Sequence, residues 1–294
     1  MIQTVPCKQI DKNLWDACVL KSHTPNIYGL YESICIACEN WVGIVYGNYE
    51  AVLALPVKKK IGLTYSWHPQ FMGPLGIFST LPSPAIEEAM YKEAAKLSWW
   101  IKMFFWQNYS GEDFKMSPWA YQELDLTDAT LKKIRSGYND NTKRNLKKAS
   151  KNNLTIQVMQ DVSLVVQHFM QHKGKQIDNI KPDSYQLLAK LMNHWLSKKM
   201  GHITGVYQNE ELVAIGYFLT WNSTIIYYKG AVTSQGKQMG AMHLLIDHEI
   251  ENSLGKFHCF DFGGSNAPSV ARFYKGFGGL DKYYYLYEYK RFKI

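Results

Sequence analysis

Residues 224–254, TIIYYKGAVTSQGKQMGAMHLLIDHEIENSL, decide the fold. Six of the first nine are β-branched or aromatic, the signature of a strand. A loop with two glycines follows, and then an apolar-periodic run from 240 to 254 that stops at Gly255, the usual left-handed helix end. A second buried-looking strand, 257–262, comes next, followed by a helix over 268–277 opened by Pro268 and an alternating final strand over 283–291. Upstream, 202–207 and 212–221 form a hairpin across Asn209-Glu210. Two helices precede that hairpin, 161–176 and 183–199, the second with Leu187, Leu188, Leu191 and Trp195 on one face.

The N-terminal half follows the same order. A helix over 28–38 leads to strands 41–46 and 49–56 joined at Gly47-Asn48, then a third strand over 61–67 and the loop HPQFMGPLG. Pro84, with Glu87 and Glu88 in the first turn, starts a helix, strands over 102–109 and 119–126 follow, and Thr127 or Asp128 caps the next helix. The pattern predicts an α+β (mixed α/β) chain built as two tandem domains, each a mixed, mostly antiparallel sheet flanked by helices. The expected boundaries are 1–130 for the first domain, 131–152 for a basic helical connector, and 153–294 for the second domain, whose final strand is free to pack with the first.

At 294 residues, 46% hydrophobic and 20% charged, the chain is globular and long enough for two cores. No apolar run approaches the roughly 18 residues a membrane span needs. The start, MIQTVPCKQI, lacks the basic and apolar regions of a secretory signal, so the cytoplasm is the expected compartment. Five cysteines read as free thiols. Cys35 and Cys38 form a CxxC without a second pair at finger spacing, so no metal site is expected. The net charge of +8 is concentrated: 131–200 holds 14 Lys and Arg against four Asp. Lys143, Arg144, Lys147, Lys148 and Lys151 recur at helical spacing there. Such a face is either simply solvated or a surface for a phosphate-bearing partner such as RNA.

Two stretches carry candidate chemistry. The first is AVTSQGKQMGA, 231–241, between strand and helix. Glycines admit close backbone approach and free amides at a helix start attract anions, so Gln235, Gly236, Lys237, Gln238, Gly240 and Ala241 are candidate donor-phosphate ligands. Strand-to-helix loops with two glycines also occur without a ligand. The second is FDFGGSNAPSVARFYKGFGG, 260–279. Its Asp-Phe-Gly stands without an HRD element or a GxGxxG loop, which excludes a protein kinase. What remains is Asp261 at a strand end, Ser265 or Asn266 as a cap, and a helix that either displays Arg272, Tyr274 and Lys275 for chemistry or simply keeps Phe273 and Phe277 in the core and lets Arg272 and Lys275 snorkel.

FDFGG…VARFYKGFGG, NTKRNLKKASKNNLTI at 141–156 and the segment 224–254 together resemble the Fem-type peptidoglycan-bridge aminoacyltransferases and their GNAT-like relatives, over nearly the whole chain. GNYEAVLALPVKKKIG and HPQFMGPLGIFS look like a group of bacterial proteins in that superfamily. The 235–241 spacing is similar to the acyl-CoA loop Q/R-x-x-G-x-G/A, with Gln238 at the middle glycine. The resemblance implies two tandem GNAT-like domains and transfer of an activated acyl group to an amine. It implies no tightly bound cofactor, with acyl-CoA or aminoacyl-tRNA as donor and a muropeptide or small amine as acceptor. The coiled-coil arm of some Fem enzymes has no counterpart here, so tRNA contact would fall to the helix at 143–151.

With no GxSxG and no legible Cys-His pair, direct attack by the amine is the simplest route. By the resemblance, a backbone N–H within 227–231 holds the carbonyl oxygen, Lys275 neutralises developing charge, and Tyr274 is the acid. Asp261 either orients these groups and takes the amine proton or caps the turn that follows it. Two rival readings share the fold: an acyl-CoA N-acyltransferase for small amines, and a non-catalytic protein that binds an anionic ligand or RNA.

Overall fold

The computed structural model describes residues 1–81, 83–108, 114–173, 180–264 and 267–291. The expected cap at Ser265 or Asn266, the strand end at Tyr109 and the helix end at Gln176 lie outside them. The chain forms two compact units, Met1–Trp119 with Tyr283–Ile294, and Ala120–Lys282.

The first unit opens with β1 (Ile2–Pro6), α1 (Lys12–Lys21) and α2 (Tyr31–Ala37), then β2 (Trp41–Tyr46), β3 (Ala51–Pro56), β4 (Lys58–Lys60), β5 (Leu63–Trp67), β6 (Ile77–Ser79), α3 (Pro84–Leu97) and β7 (Trp100–Phe105). One sheet runs β1-β2-β3-β6. All six residues of β3, AVLALP, are buried, as a central strand covered on both faces requires. β5 and β7 pair in parallel through Tyr65↔Trp100, with α3 as the crossover between them. β14 (Leu280–Lys290) is antiparallel to β7.

The second unit contains β8 (Lys115–Asp125), α4 (Leu131–Ser136), α5 (Asp140–Lys151), β9 (Thr155–Met159), α6 (Val162–His172), α7 (Pro182–Ser197), β10 (Gly201–Gln208), β11 (Glu211–Trp221), β12 (Thr224–Val232), α8 (Ser234–Met239), α9 (Ala241–Ser253), β13 (Cys259–Gly264) and α10 (Pro268–Lys275). Its strand order is β8-β13-β12-β11-β10-β9, with β12 and β13 parallel and the other pairs antiparallel. Phe218, Leu245, Ile250, Phe260, Phe262 and Phe277, all at full burial, bind α9 and α10 to one face of this sheet.

Several local readings are corrected. Residues 61–67 are not one strand: Ile61 and Gly62 take positive φ and turn β4 into β5. Residues 234–239 are not a loop but α8, because the Thr233 hydroxyl caps it by accepting from the Gly236 N–H at 3.0 Å. Asp128 sits at φ +50°, and the caps fall instead on Thr130 for α4 and Asn139 for α5. β1, α1 and β9 emerge where no strand or helix was expected. β1 and β9 are short and largely exposed, which leaves a weak period-two signal.

The basic segment 131–152 lies inside the second unit. The Arg135 guanidinium donates to both Asp247 carboxylate oxygens of α9, at 3.1 and 2.6 Å, and the Tyr138 hydroxyl donates to the same carboxylate at 2.9 Å. A buried carboxylate with three donors is satisfied, so the segment is docked rather than a free hinge.

Candidate active site

The site begins with a parting of strands. β12 and β13 keep register only through Thr224↔Cys259, Ile225↔Phe260 and Ile226↔Asp261, yet β12 continues to Val232. The paired register between the two strands ends at Ile226↔Asp261. An extra residue, Tyr228, bulges between the pairs Tyr217↔Lys229 and Phe218↔Tyr227, which sharpens the local twist. α10, entering after β13, and α9, leaving after β12, wall the gap.

A cavity of about 440 Å³ fills this opening. That is within the ordinary range for small-molecule sites. Tyr227, Val232, Met242, Val270, Phe273 and Tyr274 give it an apolar wall. Asn145, His172, Lys173, Lys237, His243 and Ser269 are its polar lining residues, and none of the described residues lining it is a carboxylate. Burial, and then the charge of Lys237, lower the Lys173 pKa. Burial, and then Lys173, push Lys229 down to about 8. Lys173 and Lys237 both line the cavity and repel each other, so an anion bound there relieves their repulsion.

Tyr274 is buried against Phe262, ring centroids 5.3 Å apart, and burial followed by the Asp261 charge raises its pKa. Its hydroxyl therefore holds its proton at neutral pH. Burial pushes Asp261 up to about 7, Glu123 on β8 adds to the rise, and the Gly263 N–H, donating to Oδ1 at 2.7 Å, opposes it. The Tyr227 hydroxyl donates to the Met242 sulfur at 3.4 Å.

The expected site residues divide accordingly. Tyr274, Lys237 and Gly240 line the cavity, and Asp261 stands where the strands part. Asp261 also makes the turn-capping bond read as its alternative. Lys275 is elsewhere: its ammonium pairs with Asp281 at 2.6 Å, and the Gln122 side chain donates to that carboxylate at 2.8 Å. Gln235 donates to the Gln208 side chain at 2.7 Å. Gly236 is glycine for packing, since a Cβ there would lie 2.4 Å from the Val213 carbonyl oxygen. Gln235, Gly236, Gln238 and Ala241 do not line the cavity. Lys143, Arg144, Lys147, Lys148 and Lys151 are exposed on α5, the helix that supplies Asn145 to the cavity.

Sequence reasoning missed Asn145, His172, Lys173 and His243. The first three come from helices far away in sequence, with no local signal. His243 had one, its place in the first turn of α9, two residues after Ala241. Among the described residues no group of three or more His, Cys, Asp or Glu is placed to hold a metal ion, and no helix is long and apolar enough to cross a membrane.

Residues 136–291 match the acetyltransferase (GNAT) domain family, and the chain belongs to that family, whose typical activity is acyl transfer. Among solved structures, FemX aligns over 96% of this chain and 96% of its own at 12% identity and a TM-score of 0.66. A conserved protein of unknown function from Bacteroides thetaiotaomicron aligns over 99% and 100% at 11% identity and a TM-score of 0.66. A tandem GNAT protein from the clavulanic acid biosynthesis pathway aligns over 98% of each chain at 10% identity and a TM-score of 0.60. These likenesses concern the fold. No protein of curated function matches the chain.

Proposed function

We propose that the protein is a tandem GNAT-like transferase that moves an activated acyl or aminoacyl group from a phosphate-bearing donor to an amine by direct attack. The observation that carries this reading is the cavity between the parting strands, lined by Lys173 and Lys237 as well as by apolar and aromatic side chains. The strand–helix–parallel strand order of both units, β5-α3-β7 and β12-α8-α9-β13, supports the tandem arrangement.

Lys237, Lys173 and the first amides of α9 receive the donor phosphates, and the apolar wall takes the carrier arm. The amine attacks the carbonyl carbon, so a C–N bond forms as the bond to the donor's sulfur or oxygen breaks. Asp261 accepts the amine proton, having a proton affinity poised near neutrality. A backbone N–H of β12 within 227–231 holds the developing oxyanion. Tyr274 returns a proton to the leaving group. Lys275, tied to Asp281, is left outside this scheme.

Two donors fit. Coenzyme A matches the cavity itself. An aminoacyl-tRNA is favoured by one further observation: the exposed cations of α5 share that helix with Asn145, which lines the cavity. A muropeptide amine and a small amine are the corresponding acceptors.

Titration calorimetry with acetyl-CoA, and filter binding with aminoacyl-tRNA, test the reading. Lys237→Ala is expected to weaken the true donor roughly tenfold, as losing one charge-assisted contact of about 1.5 kcal/mol does. An unchanged Kd for both donors removes Lys237 from the site. Tyr274→Phe is expected to lower kcat by on the order of a hundredfold with KM nearly unchanged, the pattern of a group used in the transition state.

A further inference from the structure

In the first unit the β4–β5 hairpin, KKKIGLTYSW at 58–67, is built against the ordinary rules for such a turn. Ile61 and Gly62 form its corner, at φ +50° and +75°. This turn type favours Asn-Gly or Asp-Gly, and a β-branched residue at positive φ is strained. Ile61 is nonetheless there and 92% exposed, so it gains nothing from burial within this chain. Leu63 and Trp67, two and six residues on, are 46% and 44% exposed.

The surroundings have one character. Lys60 pairs with Leu63 and Lys58 with Tyr65, so strand alternation puts Lys58, Lys60, Leu63, Tyr65 and Trp67 on one face. Trp67 meets Trp100 edge-on at 5.4 Å, and the Lys290 ammonium lies 4.8 Å from the Trp100 ring centroid. Lys58, Lys59 and Lys60 are all exposed, and none forms an ion pair among the described residues. Lysines on β4, which ends its sheet, would by themselves guard an edge from aggregation. That purpose explains the cations and is defeated by an exposed isoleucine at the tip.

We propose that this hairpin docks the protein on the surface of an anionic lipid bilayer, with Ile61 and Leu63 entering the headgroup–acyl boundary, Trp67 and Trp100 at the interface, and Lys58 and Lys60 on the lipid phosphates. Aliphatic tip, flanking tryptophan and snorkelling lysine match the depth profile of that interface. A nucleic-acid strand would use the rings and lysines but has no use for the aliphatic tip. This inference is independent of the transfer chemistry.

Cosedimentation of the full chain with vesicles tests it. With phosphatidylglycerol in phosphatidylcholine at low salt, the wild type is expected in the pellet, with binding much reduced on pure phosphatidylcholine and at high salt. Lys58→Glu and Lys60→Glu together are expected to weaken binding by on the order of twentyfold, at roughly fivefold for each lysine near the surface. Ile61→Asn relieves the strained corner, so its unfolding temperature stays level or rises while vesicle binding falls by about tenfold. Wild-type protein that stays in the supernatant with anionic vesicles overturns the proposal. So does vesicle binding that persists in both variants while Lys147→Glu with Lys148→Glu on α5 abolishes it, and so does binding of single-stranded RNA but not vesicles through these residues.

Discussion

Asp261→Asn is expected to lower kcat by roughly a hundred- to ten-thousandfold and to erase the acid limb of the pH profile. With the folded carboxyl pushed up to about 7, a base at this position makes the wild-type rate rise with pH through neutrality and then level off. Asn retains a side-chain oxygen to accept the Gly263 N–H, so the turn survives and the loss reports chemistry. The same substitution acts oppositely on stability. Because the folded pKa lies above the unfolded value, the protonated carboxyl favours the fold. That advantage is complete below about pH 4 and is lost as pH rises through 7. At about 1.4 kcal/mol for each tenfold in proton affinity, keeping the ionised group buried costs up to ~4 kcal/mol. Urea unfolding should therefore find Asp261→Asn more stable than wild type at pH 8 and indistinguishable from it at pH 3. An Asn variant that keeps full activity and its acid limb assigns the base elsewhere.

Gly240→Ala is expected to be the most damaging single methyl in the second unit. Gly240 sits at φ +79° between α8 and α9, where an L side chain costs about 1–2 kcal/mol. Its Cβ would lie 2.3 Å from the Asn145 carbonyl oxygen, part of the α5 backbone, so a helix must move. Together these predict a loss of about 3 kcal/mol or more, a fall in Tm of roughly 6–12 °C at about 2–4 °C per kcal/mol. Asn145 and Gly240 both line the cavity, so donor affinity should drop as well. Alanine at 240 with wild-type Tm and wild-type affinity would mean that α5 and α9 are not held as described.

Where the sequence was legible, a residue's local pattern agreed with its tertiary place. The runs at 41–46 and 224–232 are apolar because they are strands inside sheets, and Pro84 and Pro268 open α3 and α10 as Pro at a first helical position does. Where the two disagreed, the sequence misled. Gly62 lets Ile61 leave the extended region, which a strand-forming side chain disguises. The glycines of 235–241 looked like a ligand loop, but Thr233 winds the stretch into α8, and Gly236 is spent on contact with β11. Tyr274 and Lys237 were within reach because the strand–turn–helix grammar locates them. Lys275 shares a helix with Tyr274 but pairs with Asp281, a partner that only the folded turn after α10 supplies. Lys173 is brought to the cavity by the packing of α6 on β12, a contact no local pattern encodes.

Hydrogen exchange with and without acetyl-CoA, and with and without aminoacyl-tRNA, tests the central claim most directly. Occupation of the gap between the parted strands predicts slowed exchange at the amides of 227–232 and 241–243 with one donor class. Binding of either donor with those amides unchanged and protection elsewhere, or no protection by either donor, contradicts it.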